Sequence, residues 1–567
     1  MKKTLLLLFF VALCLLLSAC GGRDGDTDST EAAAAVTLPD ATEMLSENDR
    51  TPSYTEASAA TVTLSGDTVT ASTNAVRQSA KDVIITDEGT YILTGSYCGR
   101  VVVDAEATDN VTLVLRGVAL TSDGAAALYI KEAKNATLLL DAGGENALTA
   151  SGEAIADGDT TVDAALFSRT DLLILGEGAL AVSSAVGHGI VCKDDLKITG
   201  GRLTVTASGH GLDANDSVRL ATPTLTVNAG SDAIHAESTE SDAGFVYIES
   251  GTYTLSAGGD GISASSSLSV VGGSFAVTAG GGCGTSLAAD ASAKGLKAGT
   301  DLAIGGGTLL LNTADDALHA NGDLTVHAGS LTLTTGDDGI HADGTLTILG
   351  GTLEVRESYE GLEGLHILIS GGDIRIKADD DGLNAAGGQD ASGTGGMMPG
   401  GDPFGRPGGP HGGMHGGGMG GGMSAGNGSI TLAGGTLYIN ASGDGIDANG
   451  TLTISGGSIT VCGPTQGDTA VLDYDSSATI TGGTFIGTGS YMMAQSFSES
   501  GQGVLALTVG NQNAGVPITL TDASGELLLS YTPALPYQIV ILSTPDMVKG
   551  EVYTITVGSL SGSFEAN

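Results

Sequence analysis

The chain has no tryptophan in 567 residues, only 12 prolines, and 22 lysines and arginines against 65 aspartates and glutamates. The absence of indole argues against a flat aromatic platform for lying on a crystalline polysaccharide. With so few bases and a formal charge of −43, the surface repels nucleic acid and anionic membrane and attracts cations. Cysteine is sparse too. Cys98, Cys192, Cys283 and Cys462 follow the leader with no Cys-x-x-Cys spacing, so neither a zinc site nor a redox pair is indicated. The scarcity of aromatics weighs against an aromatic-rich core, and 91 glycines weigh against a helical bundle. Thr, Val, Ile and Gly suit short strands and tight turns.

What the chain does have is an interval. Asp315-Asp316-Ala317-Leu318-His319-Ala320, Asp337-Asp338-Gly339-Ile340-His341-Ala342, Tyr359-Glu360-Gly361-Leu362-Glu363-Gly364 and Asp380-Asp381-Gly382-Leu383-Asn384-Ala385 recur at steps of 22, 22 and 21. Weaker copies sit at Gly189, Gly211, Ala233, Gly261 and Gly295, and again at Gly445. Between signatures lie short alternating runs such as Leu324-Thr325-Val326 and Leu331-Thr332-Leu333, separated by glycines. Alternation is the period of a half-buried strand, and a repeat of this length means stacked coils. Three strands and three turns per coil predict an all-β chain folded as a parallel β-helix of about 22 residues per coil. A leucine-rich horseshoe fits less well, because its Leu-x-x-Leu-x-Leu pattern is missing. Cys192 stands where other coils have Ala214, Ala236, Ala320 and Ala342, and is expected to be a small buried hydrophobe.

At the start, Met1-Lys2-Lys3, an apolar run to Leu17 and Leu17-Ser18-Ala19-Cys20 read as a bacterial lipoprotein signal with Cys20 as the lipidated residue. That places the chain on the extracellular face of the cell membrane, held there only by its lipid. Residues 1–20 are then the signal, 21–56 an acidic flexible linker, 57–489 the β-helix, and 490–567 a C-terminal antiparallel β cap in which the period is lost. Residues 387–427 interrupt the coils with a Gly-, Met- and His-rich insertion that reads as a disordered loop.

Equivalent residues of neighbouring coils lie roughly 4.8 Å apart. Asp315, Asp316, Asp337, Asp338, Glu360, Asp380 and Asp381 therefore form a carboxylate column, in which each adjacent pair costs roughly 3 to 4 kcal/mol near a protein surface. Ca²⁺, which takes several carboxylate and carbonyl oxygens, is the expected offset and the expected cofactor. The alternative is that Asp is there to cap turns through its own side chain. Beside this column a second, outward one is expected, with His319, His341, Glu363 and Asn384 able to hydrogen-bond a sugar. His319 and His341 alone suggest a transition metal, but in a mixed column they read as plain surface. Arg356 and Lys377 fall on the strand before the Asp turn, outward and side by side, and Tyr359 completes the candidate ligand-binding set. Lys294-Gly295-Leu296-Lys297 breaks the acidic pattern, so the metal ladder is not extended into that coil.

The runs Asp337-Asp338-Gly339-Ile340-His341-Ala342-Asp343, Ser358-Tyr359-Glu360-Gly361-Leu362-Glu363-Gly364 and Asp380-Asp381-Gly382-Leu383-Asn384-Ala385-Ala386 resemble the bacterial carbohydrate-binding β-helix family first defined on a clostridial cellulose-binding protein. Gly89-Thr90-Tyr91-Ile92-Leu93-Thr94-Gly95 is similar to its first strands. The resemblance spans roughly residues 57 to 560. It implies a right-handed β-helix related to polysaccharide lyases, calcium at acidic turns, and binding of cellulose and pectin-type sugars without established catalysis. The expected partner is thus a plant cell-wall or other acidic polysaccharide bound by a monomer. Two readings compete: a calcium-dependent lyase using Arg356, Lys377, Lys294 or Lys297 as base, and a structural envelope adhesin.

Overall fold

Along Thr224–Ala229, Thr252–Ala257 and Thr308–Thr313 burial alternates residue by residue, with Leu225, Val227, Tyr253, Leu255, Leu309 and Leu311 inside and Thr224, Thr226, Thr252, Thr254 and Thr308 outside. These strands stack in parallel and in register, Leu225 on Tyr253 and Phe275 on Leu309. A second stack runs through the short strands of the signature, with Leu318 on Ile340, Ile340 on Leu362, Leu362 on Leu383 and Leu383 on Ile446. A third runs through Ser217–Leu220, Phe245–Ile248, Leu268–Val270 and Leu302–Ile304. The result is a nearly all-β chain dominated by parallel pairing around one continuous aliphatic core, from Val62 to Ile541. This computed structural model describes residues 35–386, 427–465 and 469–567. The lipoprotein signal with Cys20, the first part of the linker and nearly all of the Gly/Met/His insertion lie outside the described residues.

The signature glycine is a consequence of how closely the coils approach. A Cβ on Gly339 would lie 2.4 Å from the carbonyl oxygen of Gly361 in the next coil, so no side chain fits there. Gly351, at the corner between strands, has φ of +92°, which L-residues with a Cβ rarely adopt. Cys192 is fully buried in the aliphatic core, and the four described cysteines are free thiols.

The flexible linker expected over 21–56 is corrected for residues 35–56, which pack along the outside of the third stack. Val36 receives a hydrogen bond on its carbonyl from His327 Nε2 (2.8 Å) and donates its N–H to Thr325 Oγ1 (2.9 Å). Leu45 is buried against Ala221 and Tyr247. Arg50 pairs with Glu249 at 2.6 Å, and Glu56 with Arg116 at 2.8 Å. The acidic composition suggested a solvated tether. The docked segment instead carries Leu45 as an apolar anchor and pairs Asp49 with Lys197, Arg50 with Glu249 and Glu56 with Arg116.

At the other end the pairing changes sense. Thr484–Gly489 lies antiparallel to Tyr537–Ser543, which is antiparallel in turn to Val504–Gln512. A separate antiparallel sheet of Leu527–Tyr531, Ile518–Thr521, Val552–Val557 and Leu560–Glu565 packs on its own cluster of Leu520, Leu542, Tyr553 and Ile555.

Candidate functional site

Two polar columns flank the inward Leu or Ile of the signature strands. Two residues before it stand His188, His210, Asp232, Asp260, Lys294, Asp316, Asp338, Glu360, Asp381 and Asp444; one residue after it stand Asp213, His235, Ser263, Lys297, His319, His341, Glu363, Asn384 and Asp447. In the first column, side chains bond the backbone of the next coil. Asp338 N–H donates to Asp316 Oδ1 (3.1 Å), Asp260 N–H to Asp232 Oδ1 (2.7 Å) and Asp444 N–H to Asp381 Oδ1 (2.5 Å). Turn capping by Asp is therefore real, and it occupies one oxygen of each carboxylate. The second oxygen carries the chemistry.

What that second oxygen meets differs along the ladder. Lys294, in the coil that breaks the acidic pattern, is buried and holds Asp315 Oδ1 at 2.8 Å and Asp316 Oδ2 at 2.6 Å. Lys297 lies 3.3 Å from Asp260. Burial works against ionisation of Asp316, but the Lys294 ammonium outweighs it and holds this carboxyl well below the usual range. Asp338, one coil on, is pushed well above that range by burial and by the charges of Asp316 and Glu360.

The imidazoles correct the expectation of an outward sugar-binding column. His319, Glu363 and Asn384 are buried, and His341 is 0 % exposed. Coils this closely stacked bring the two columns side by side, and the acids of one cover the imidazoles of the other. His319 sets Nδ1 2.8 Å from Asp316 Oδ2 and Nε2 2.8 Å from Asn321 Oδ1. His341 sets Nδ1 2.6 Å from Glu363 Oε2 and 3.3 Å from Asp338 Oδ2, with Nε2 3.1 Å from Asp343. Burial disfavours its charge, yet the hydrogen bonds it donates to Asp338 and Glu363 push His341 up to about 12. His341 is thus a cation inside the ladder, and neither imidazole is plain surface.

Past His341 the donors are oxygen. Asp381, Asp444 and Asp447 bring carboxylate oxygens within 4.8 Å of one another. Burial and then the charge of Asp444 push Asp381 up to about 9; burial and Glu363 push Glu360 up to about 8; burial and Asp444 push Asp447 up to about 7. Asn384 donates to Glu360 Oε2 at 2.8 Å. A half-buried set of oxygens that resists ionisation by itself fits a hard divalent cation, which would restore the charged form. Asp444 and Asp447 were absent from the sequence-predicted metal set. The Gly445 signature contained them, but the insertion puts Gly382 and Gly445 63 residues apart and hides that they are neighbouring coils.

The remaining candidates lie at the rim. Tyr359 is 47 % exposed, and the carboxylate of Asp380, which it hydrogen-bonds, pushes its phenol up. Arg356 and Lys377 are exposed as expected, but the pairing of their strands ends one residue short of them, at Val355 on Ile376, and Arg356 folds back on Glu354 at 2.9 Å.

Residues 79–339 match the family model described as carbohydrate-binding domain-containing protein. A protein of that description from Acetivibrio thermocellus is 31% identical over 208 residues, 36% of this chain; the chain spans 65% of that relative's length. A solved structure of a polysaccharide lyase-like protein from C. thermocellum, a gadolinium derivative, is 30% identical, with 45% of this chain and 96% of that one covered at a TM-score of 0.37. Over residues 79–339 the chain is similar to the carbohydrate-binding domain-containing protein family.

Proposed function

We propose that this protein is a cell-surface, calcium-dependent polysaccharide-binding protein built on a right-handed parallel β-helix of about 22 residues per coil, the hand that parallel crossovers take in nearly every fold. Its antiparallel C-terminal strands close the end of the solenoid, which would otherwise expose strand edges. Cys20 anchors the monomer by lipid. The observation that carries the binding reading is the carboxylate cluster of Asp381, Asp444 and Asp447, with three acids pushed up to about 7, 8 and 9 around it. Ca²⁺ held there by oxygens of two coils keeps open positions for the carboxylate and hydroxyl oxygens of an acidic, pectin-type glycan. Asp315, Asp316, Asp337, Asp338 and Asp380 continue the column towards the more buried coils. Tyr359, Arg356 and Lys377 flank the site, the first able to stack on a sugar ring and the other two able to meet uronates.

The lyase reading needs a base free to take a proton. Lys294 is buried between two carboxylates that push its ammonium still further up, Lys297 leans on Asp260, and Arg356 pairs with Glu354. Three of the four candidate bases are thus engaged and only the exposed Lys377 is left, so binding without cleavage is the better reading. Isothermal titration with polygalacturonate at saturating Ca²⁺ tests it: Asp381→Asn with Asp447→Asn, which keeps the Oδ1 cap, is expected to lower affinity at least tenfold, about 1.4 kcal/mol. Full affinity in that variant would remove the glycan from this site, and the appearance of unsaturated products would make the protein an enzyme.

A further inference from the structure

Three imidazoles stack outside the described acidic half, at the opposite end of the same columns. His188 and His210 have ring centroids 5.0 Å apart, and His210 and His235 4.3 Å apart at 9° between planes. We propose that His210, Asp232 and His235 form a binding site for a borderline divalent transition metal of the Zn²⁺ class, separate from the oxygen-only cluster and independent of the glycan-binding reading.

The hydrogen bonds assign the lone pairs. His235 sets Nδ1 2.8 Å from Asp213 Oδ1, so this nitrogen carries the proton and Nε2 is left with its lone pair, 4.0 Å from Asp232 Oδ2 and 3.9 Å from Glu237 Oε2. A carboxylate behind a ligating imidazole is the arrangement that fixes the ring and its tautomer at metal sites. His210 accepts a long hydrogen bond on Nδ1 from the N–H of Asp232 (3.2 Å), so its ring proton is on Nε2, and the one Nδ1 lone pair, 3.4 Å from Asp232 Oδ2, turns to a metal by giving up that long bond. Asp232 spends Oδ1 on the N–H of Asp260 and keeps Oδ2. One ligand atom from each of the three residues falls within 4.8 Å of the others. Tetrahedral bonds of about 2.0 to 2.1 Å place neighbouring ligand atoms about 3.4 Å apart, so the observed separations close by small ring rotations.

The donor set decides the ion. Two imidazoles and one carboxylate favour Zn²⁺, Ni²⁺ or Cu²⁺ over Ca²⁺, which takes oxygens. Glu237, with its side chain 73 % exposed, is free to swing in as a fourth ligand. The other stacked pair, His319 and His341, differs in that each of its four nitrogens already lies 2.6 to 3.1 Å from an oxygen, whereas His235 Nε2 stands 3.9 and 4.0 Å from Glu237 and Asp232.

Co²⁺, with Zn²⁺ as competitor, is the probe, titrated into the full chain in millimolar Ca²⁺. His411 and His415 of the insertion are replaced by Ala in every sample, so that they contribute no imidazole. One equivalent of Co²⁺ is expected to bind with visible ligand-field bands and to be displaced by Zn²⁺. His235→Gln and Asp232→Asn, the latter keeping the acceptor for Asp260 N–H, are each expected to weaken binding at least tenfold. Asp213→Asn should cost 10- to 100-fold through the ring it positions. Circular dichroism of each variant without metal checks folding, and the two ligand variants alter different coils, so either decides alone. No binding, displacement by Ca²⁺, or unchanged affinity in a folded ligand variant would overturn the site.

Discussion

The two halves of the acidic ladder share a backbone and a residue pattern but solve the problem of stacked charge in opposite ways. From Asp260 to Asp343 the chain brings its own cations: Lys294 between Asp315 and Asp316, Lys297 beside Asp260, and His341 among Asp338, Asp343 and Glu363. From Glu360 to Asp447 the two columns hold carboxyl and amide groups, and the acids answer by rising in pKa. The first half is a sealed structural seam, with Asp316, Asp338 and His341 at 2 % exposure or less. The second is the half that, in the proposed function, takes its cation from solution. The docked segment sharpens the contrast: residues 36–56 lie over coils up to His327, short of the acidic half.

The largest expected effect breaks the self-neutralised half. Lys294→Met leaves two buried carboxylates without their ammonium, which costs about 3 to 5 kcal/mol. Urea unfolding should show that loss, and Ca²⁺ should restore part of it in the variant while leaving the parent's first half unaffected, because the ion then takes the place of the lysine. A variant as stable as the parent would mean that the lysine is not what holds this half together.

A smaller effect reads the other half through pH. Asp381, Glu360 and Asp447 have folded values of about 9, 8 and 7, above the roughly 4 of an unfolded carboxyl. Between these limits the native state binds more protons than the unfolded one, so stability is full below pH ~4 and falls as pH rises through 7 to 9. His341 does not cancel this slope. Its raised value keeps its contribution fully present below about 6.5, and the loss extends up to about 12. In EGTA, thermal melts should therefore show lower stability at pH 8 than at pH 5. Saturating Ca²⁺ should flatten the difference. A flat profile in EGTA would mean that these acids are neutralised by something other than added metal.

The sequence carried the coil because its cause is local: a two-residue alternation inside each strand and a glycine wherever Gly339 or Gly361 meets the next backbone. It carried the ladder positions for the same reason. It did not carry which charge meets which. Lys294 looked like a break in an acidic pattern, although the lysine is the partner of the acids 21 and 22 residues later. His341 looked outward because parity separates it from the core, but parity says nothing about what the neighbouring coils fold over it. Asp444 was hidden by arithmetic, since an insertion adds residues to a coil without adding height. Residues 35–56 read as tether because composition cannot see the complementary bases of distant coils.

The smallest expected effect sharpens the boundary between the halves at its exposed rim. Arg356 and Lys377 stand on the strands that lead into the Tyr359 and Asp380 turns, with the Arg356 side chain 55 % exposed. If the glycan lies along the acidic half, these bases meet its uronates in water, where each exposed pair is worth about 0.2 to 1 kcal/mol and is screened within a Debye length of about 8 Å at physiological salt. Replacing both by Gln should therefore weaken polygalacturonate binding only a few-fold in low salt, and the loss should vanish as salt rises. Arg356 must also leave Glu354 to reach the ligand, so Glu354→Gln is expected to strengthen low-salt binding slightly. The same double replacement should leave the Ca²⁺-dependent flattening of the pH profile untouched, because neither base touches the carboxylates that produce it. A salt-independent loss, or a change in that profile, would place Arg356 and Lys377 inside the cation cluster and move the boundary between the two halves.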